Sequence, residues 1–496
     1  MFNKCLNILV GINFQWIIFA KNNMIGKRIF LIVIVLSGFI NNLEALPVRV
    51  YGNAQEYKSS TLIFNKYSDR ITYLREKVFE LNIDEEGNFD TTFDIDEITY
   101  VFSEFGVYFA YFYAEPGYEY ELVLPPYEEK ELADLFNPFF SPQETHLGIK
   151  NMKETDLNYL IMDFDYYYFR YLEMNYLDVY AQGIKSDVDT FITELNKRYK
   201  IYDNKYFQDY RKYRIAALKN IATQKQLEDV LVFANYSKSP VLYDNPAYMD
   251  LFNNIFYNFF DKILTSKDGG ILYAIIHYGH SITRLKKFLN AKYYYLRNTQ
   301  FQELVILKGL NDAFSNKDLA WLPLLLTLDS LFLSTEYPIH QRIAQNIADN
   351  TLSMAKGTIA PPFELTDTSG NTVKLSDYRG NYVYLCFANT QSYTCQTEFL
   401  MMKKIYEKYK GLCIFVTILT DEDRKKALDF IYKNQLTWDF LFTEINSSTI
   451  STYKVTSFPT CFLIDPVGTL VLSPATLPSE NIENYLFKIF QPKTKN

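Results

Sequence analysis

Along residues 47–126 the apolar positions fall in short β-rich runs: Val48–Tyr51, Thr61–Phe64, Val107–Phe112 and Tyr118–Leu124. Turn signals separate them, among them Asp84-Glu-Glu-Gly87-Asn-Phe89 and Glu115-Pro-Gly117. This spacing predicts a small antiparallel β-sandwich over residues 46–150. From about Lys153 to Ala355 the strand signals vanish and the period becomes helical. The clearest segments are Leu157 to Gln182, Val188 to Tyr199, Tyr248 to Ile263, Gly270 to Phe288, Phe301 to Phe314 and Leu319 to Leu333. Residues 151–355 therefore read as an all-α domain, and no repeat of solenoid period is present.

From Gly357 onward strands and helices alternate. Phe363-Glu-Leu-Thr and Val373-Lys-Leu predict a hairpin across Ser369-Gly370-Asn, and Tyr382 to Phe387 a buried strand. Cys395 to Tyr409 predicts a helix with Phe399, Met402 and Tyr409 on one face. Leu412 to Leu419 reads as a strand, and Asp421-Glu-Asp-Arg-Lys opens a helix with acids at its positive end. Thr460 to Ile464 and Thr469 to Leu472 form a hairpin across Asp465-Pro-Val-Gly468, and Pro478 to Ile489 closes with a helix. A βαβ core joined to an antiparallel hairpin is a thioredoxin arrangement, placing an α/β domain over residues 356–496.

At 496 residues the chain exceeds one ordinary core, and 48% hydrophobic content places it among globular proteins. Tyr and Phe are abundant, at 42 and 40, while Gly and Pro are scarce, which favours regular structure. The net charge of −8, spread without a basic stripe, leaves nucleic-acid binding without an electrostatic footprint. Near the start, Ile29 to Ile40 is an apolar run preceded by Met24-Ile-Gly-Lys-Arg and followed by Leu43-Glu-Ala45. That is the layout of a secretory signal peptide, with residues 1–45 as leader and Met24 as the expected start. The rival reading is an uncleaved N-terminal anchor, the one expected link to a membrane. Either way the rest of the chain is expected outside the cytoplasm, in the periplasm or cell envelope. Cys5 falls in this leader, leaving Cys386, Cys395, Cys413 and Cys461 in the last quarter. Such clustering points to one sulfur-related domain rather than a disulfide-stapled secreted fold.

Taken together, Ala360-Pro-Pro-Phe363-Glu-Leu, Leu375-Ser-Asp-Tyr-Arg-Gly380, Tyr382-Val-Tyr-Leu-Cys-Phe387, Ser392-Tyr-Thr-Cys395 and Val455-Thr-Ser-Phe458-Pro459-Thr-Cys-Phe-Leu-Ile-Asp465 resemble the TlpA/ResA-type envelope thioredoxins of the redoxin superfamily. The resemblance covers roughly Gly357 to Phe490. It implies that Pro459 is the cis-proline facing the redox motif, and that the Phe458 backbone offers edge hydrogen bonds to an extended polypeptide. It also implies a polypeptide or thiol-containing client. The departures fall on the chemistry. Ser392 stands where the attacking Cys belongs, Ala388 and Gln391 replace two Trp, and Cys386 holds the place of a buried polar residue, often an acid. A dithiol exchanges disulfides because one thiolate attacks and the second thiol resolves the mixed disulfide, so Ser392-x-x-Cys395 cannot close that cycle within the motif.

Three readings stay open. Dithiol activity is weakened or lost, with Cys395 and Ser392 as the catalytic candidates. The groove at Phe458 and Pro459 serves a non-catalytic polypeptide-binding module. Or Ser392-x-x-Cys395-Gln-Thr397-Glu398 resembles the Thr-x-x-Cys-Pro-Thr-Glu signature of peroxiredoxins and supports a one-Cys peroxidase. Against the last, Ala388 and Gln396 replace the expected prolines, and Arg424 is the only Arg after the motif. The bland alternatives are a helix cap for Ser392 and small buried hydrophobes for Cys386, Cys413 and Cys461. Thioredoxin strand order would also allow a non-standard disulfide or thiol relay among these cysteines. His277-Tyr-Gly-His280 has i,i+3 spacing on an expected helix but lacks a third ligand, so no metal and no cofactor is expected. Asp163-Phe-Asp165-Tyr-Tyr-Tyr-Phe169 reads as a helix packing aromatics on two sides rather than a binding platform.

Overall fold

The structure is a computed structural model. It describes residues 45–491 apart from 132–133, 135–136, 138, 183–184, 317 and 446. The expected leader lies outside the described residues. Nine strands come first: β1 Leu46–Asn53, β2 Thr61–Tyr67, β3 Arg75–Asn82, β4 Asn88–Ile95, β5 Thr99–Phe105, β6 Tyr108–Ala114, β7 Glu119–Val123, β8 Gln143–His146 and β9 Gly148–Ile149. They form a sheet of order β4-β1-β7-β9 and another of order β3-β2-β5-β6-β8. Alternate residues of both sheets, including Val48, Val50, Phe64, Phe79, Val101 and Phe112, meet in one apolar core. The turn at Asp84–Phe89 is built as its residues dictate: Gly87 takes φ +80 and the Asp84 carboxylate accepts from Asn88 N at 2.7 Å.

The pairing is not wholly antiparallel as expected, because β1–β7 and β6–β8 run parallel. Antiparallel neighbours need only a tight hairpin, whereas 28 residues (115–142) separate β6 from β8, enough for the chain to cross over and return in the same direction.

The helices are α1 Leu157–Met174, α2 Lys185–Arg198, α3 Lys205–Ala222, α4 Glu228–Asn235, α5 Pro246–Ile255, α6 Phe259–Leu264, α7 Gly269–Ala274, α8 Ile282–Lys292, α9 Thr299–Ala313, α10 Trp321–Ser334 and α11 Pro338–Leu352. Three helices expected to be continuous are broken, the first at Asn175, where α1 gives way to a π-helical segment Leu177–Gln182. Asn258 takes φ 48 between α5 and α6, with its N–H held by the Asp312 carboxylate at 3.0 Å. His280 takes φ 44, after which Ser281 caps α8 by accepting from Arg284 N. The sheets are not isolated from these helices. Ile71 and Tyr113 belong to the helical core, and Asn158 on α1 accepts from Tyr113 N and donates to Tyr113 O, both at 2.8 Å. A buried main-chain pair on β6 is thereby satisfied by one amide.

Deeper in the helices, Glu303 on α9 is fully buried and gathers three donors. Lys286 Nζ lies 2.6 Å from Oε1, while Thr335 Oγ1 and His340 Nδ1 lie 2.5 and 2.7 Å from Oε2. No helix among the described residues is long and apolar enough to cross a membrane.

The last part has strands β10 Glu364–Asp367, β11 Thr372–Lys374, β12 Tyr382–Ala388, β13 Cys413–Leu419, β14 Asp439–Phe442, β15 Thr460–Ile464 and β16 Leu470–Ala475. Its helices are α12 Tyr393–Tyr409, α13 Arg424–Lys433, α14 Ser448–Thr452 and α15 Ile482–Phe490. The sheet order is β11-β10-β14-β13-β12-β15-β16, with β12–β13 and β13–β14 parallel and β12–β15 antiparallel. This thioredoxin-like sheet is covered on both faces, which explains why β12 reads as an unbroken apolar run. Tyr384, Cys386 and Ala388 face one core with α12, while Val383, Leu385 and Phe387 face the other.

Candidate functional site

The site is assembled where β12 ends and α12 begins. Between them, residues 389–391 are fastened by their main chain. Thr390 N donates to both oxygens of the buried Asp421 carboxylate at 3.1 and 2.9 Å, and Thr390 Oγ1 donates to Oδ1. Gln391 N donates to Asn389 Oδ1 at 2.9 Å, and Gln396 Nε2 donates to Thr390 O at 2.7 Å. Burial pushes the Asp421 carboxyl above its ordinary range, and the bonds from Thr390 work against that rise.

Sequence reasoning placed Asp421 among the acids opening α13. The structure corrects this: Asp423 is the cap, accepting from Lys426 N at 3.0 Å, and Asp421 turns inward to the loop. Two acids two residues apart look alike in sequence, and only the strand end decides which faces the core. The missed signal was Thr390, a buried donor needing a partner.

Ser392 is the N-cap of α12, and its Oγ accepts from Cys395 N at 3.4 Å. It is half-buried, while its neighbour Tyr393 is 83% exposed. Cys395 is 0% exposed. Burial pushes its thiol up to about 11, and hydrogen bonding with the Asn389 main chain and Ser392 offsets only part of that rise. Its alkylation rate should therefore stay low at neutral pH and climb with pH toward an inflection near 11. Iodoacetamide labelling against pH checks this, and an inflection below 8.5 would show a thiolate-stabilising site instead.

Cys395 shares its core with Cys386, Cys413 and Cys461. Cys386 on β12 is paired with Cys461 on β15, and their Sγ atoms lie 2.7 Å apart. Burial first, and then the neighbouring Cys461, push the Cys386 thiol well above its usual range. Cys413 is set apart: it is in register with Tyr382, four residues or about 13 Å along β12 from Cys386. The peptide between Phe458 and Pro459 is cis. Both residues are half-buried at the start of β15, and Phe458 packs against both faces' cores.

Other candidates lie elsewhere. His277 stacks on Tyr273, and His280 Nδ1 meets Ile276 O at 2.8 Å. They sit on a π-type turn rather than the regular helix that i,i+3 ligation needs. Arg424 is exposed, donating to Asp367 O and lying over the Phe442 ring at 4.3 Å, so it is engaged away from Cys395. In the aromatic run, Phe164 and Tyr168 are buried while Tyr166, Tyr167 and Phe169 are exposed.

Residues 356–473 match the AhpC/TSA family. A thiol-disulfide oxidoreductase ResA of Geobacillus kaustophilus is 31% identical over 149 residues, which are 30% of this chain and 85% of the relative. The chain belongs to the ResA-like thiol-disulfide oxidoreductase family. The ResA of Bacillus subtilis is 29% identical over 135 residues, covering 27% of this chain and 75% of the relative. A crystal structure of the thioredoxin domain of a Bacteroides vulgatus thiol-disulfide oxidoreductase aligns with 24% identity and TM-score 0.26, covering 27% of this chain and 97% of that one. In this ResA-like chain the family region is the last quarter, and it contains the whole of the site described above.

Proposed function

We propose that this ResA-like protein is an exported cell-envelope member in which dithiol exchange at the motif is lost and the groove beside Pro459 is kept to bind extended, thiol-containing polypeptide. The observation that carries the reading is the state of Cys395: fully buried, with a thiol raised to about 11 and a hydroxyl, Ser392, in the half-exposed position ahead of it. A hydroxyl at the mouth forms no mixed disulfide, and a protonated buried thiol is a poor first nucleophile. The same state argues against peroxidase chemistry, which needs a depressed thiol pKa. We place the groove on Phe458 and Pro459, and propose exposed Tyr393, two residues before Cys395, as an apolar contact for the client. The β-rich residues 46–150 and helical residues 151–355 are proposed as two domains that pack together at Ile71, Tyr113 and Asn158, and the leader as an export signal.

The test uses S-carboxymethylated insulin B chain, which has no thiol to exchange, as a labelled probe in fluorescence anisotropy. Binding is expected to survive Cys395→Ala within about twofold and to weaken at least about tenfold in Pro459→Ala. Wild-type turnover of intact insulin that Cys395→Ala abolishes would sink the proposal.

A further inference from the structure

Cys386 and Cys461 stand directly opposite each other in the antiparallel register of β12 and β15. Their sulfurs, 2.7 Å apart, are a fraction of an ångström beyond the roughly 2.05 Å of a disulfide bond. Both are free thiols in this structure, exposed by 1% and 0%. Among the described residues Cys413 has no such cysteine neighbour, and it bonds weakly to Ile414 O at 3.6 Å. Two further observations make the pair more than a packing contact. The ladder beyond Cys461 is irregular, with register shifts between β15 and the edge strand β16 on either side of Leu463. Such irregularity leaves local main chain unpaired and gives a small reagent a route by local opening. The pair also sits at the root of the site: Cys386 is six residues before Ser392, and Cys461 two after Pro459.

We propose that Cys386 and Cys461 are a redox-active pair that closes into a cross-strand disulfide at the expense of a low-molecular-weight disulfide. One thiolate attacks a sulfur of the oxidant, forming a mixed disulfide and releasing one thiol. The second cysteine attacks the protein sulfur of that bond and releases the other thiol. Two S–H bonds and the oxidant's S–S bond are broken, one S–S bond forms in the protein, and the two electrons and two protons end on the released thiols. Closing the bond ties the strand that feeds the Ser392 motif to the strand that follows Pro459. The pair thus stores two electrons and fixes the groove's two walls together, independently of whether the groove holds a polypeptide.

The experiment takes the full chain, reduces it, removes the reductant, and incubates it with excess oxidised glutathione before maleimide trapping, digestion and mass spectrometry. The expected product is a peptide joining Cys386 to Cys461, with Cys395 and Cys413 carrying maleimide. Its formation should raise the thermal midpoint by about 5–10 °C, because the bond closes a long loop of the unfolded chain. That shift should be absent in Cys386→Ala and in Cys461→Ala. Recovery of Cys386 and Cys461 as maleimide-labelled thiols after overnight oxidation overturns the proposal, as does a link from either of them to Cys395.

Discussion

Ser392→Cys should raise insulin-reduction turnover at least about tenfold over the wild-type chain, and the gain should vanish when Cys395→Ala is added. Position 392 is half-exposed and caps α12, so a thiol there meets the helix's unpaired N–H groups and positive end, which favour the thiolate. Cys395, protonated and buried, is suited to the second role: it stays out of solvent until a mixed disulfide brings the target sulfur to it. The substitution removes a hydroxyl cap at a cost of about 1 kcal/mol, too little to unfold a typical domain. Turnover should remain limited because Cys386, pushed up by burial, stays protonated and offers no base to take the proton from Cys395. A variant that forms the 392–395 disulfide yet shows no gain would mean that the groove no longer admits a substrate disulfide.

Removing the Glu303 side chain should cost about 3–5 kcal/mol of stability, measured by urea denaturation of Glu303→Ala. The loss is large because the buried Thr335 and His340 and the half-buried Lys286 all point at this carboxylate and lose their partner without it. Burial alone would raise the Glu303 pKa, but the hydrogen bonds from His340, Lys286 and Thr335 win and hold it at about 2. A carboxyl depressed in the folded state contributes its stability above the unfolded value near 4.5. That contribution is lost as pH falls through about 2. The wild-type chain should therefore lose stability steeply between these values, and Glu303→Ala should show a shallower fall. Equal acid sensitivity in the two proteins would contradict this account.

The thioredoxin-like part was legible because its strands are short apolar runs bounded by turn residues, and its motifs stand in family order. Its chemistry was legible only as far as residue identity goes. That Cys386 lies opposite Cys461 depends on register across 75 residues, and nothing local in either strand encodes it. The helical part was harder to read. α3 carries Tyr and Phe on several sides, so inward Tyr210 and Tyr213 are not distinguished from partly covered Tyr206 by type. α11 does not stand out within the helical part although Pro338 stands at its first turn, because its apolar stripe is thin: Ile343, Ala344 and Ile347 with His340. β8, Gln-Glu-Thr-His, has no apolar alternation at all, since it is an edge strand held through its backbone.

Asp421 grips the chain ahead of α12 by the amide of Thr390, a group every residue but proline possesses. The path of the main chain into the helix is thus insured by a carboxylate just past the end of β13, outside the motif itself. The anchor uses neither the Gln391 nor the Ser392 side chain, so exchanging those two leaves it in place. Whatever chemistry the motif carries, the approach to the helix is held by a group that does not take part in it.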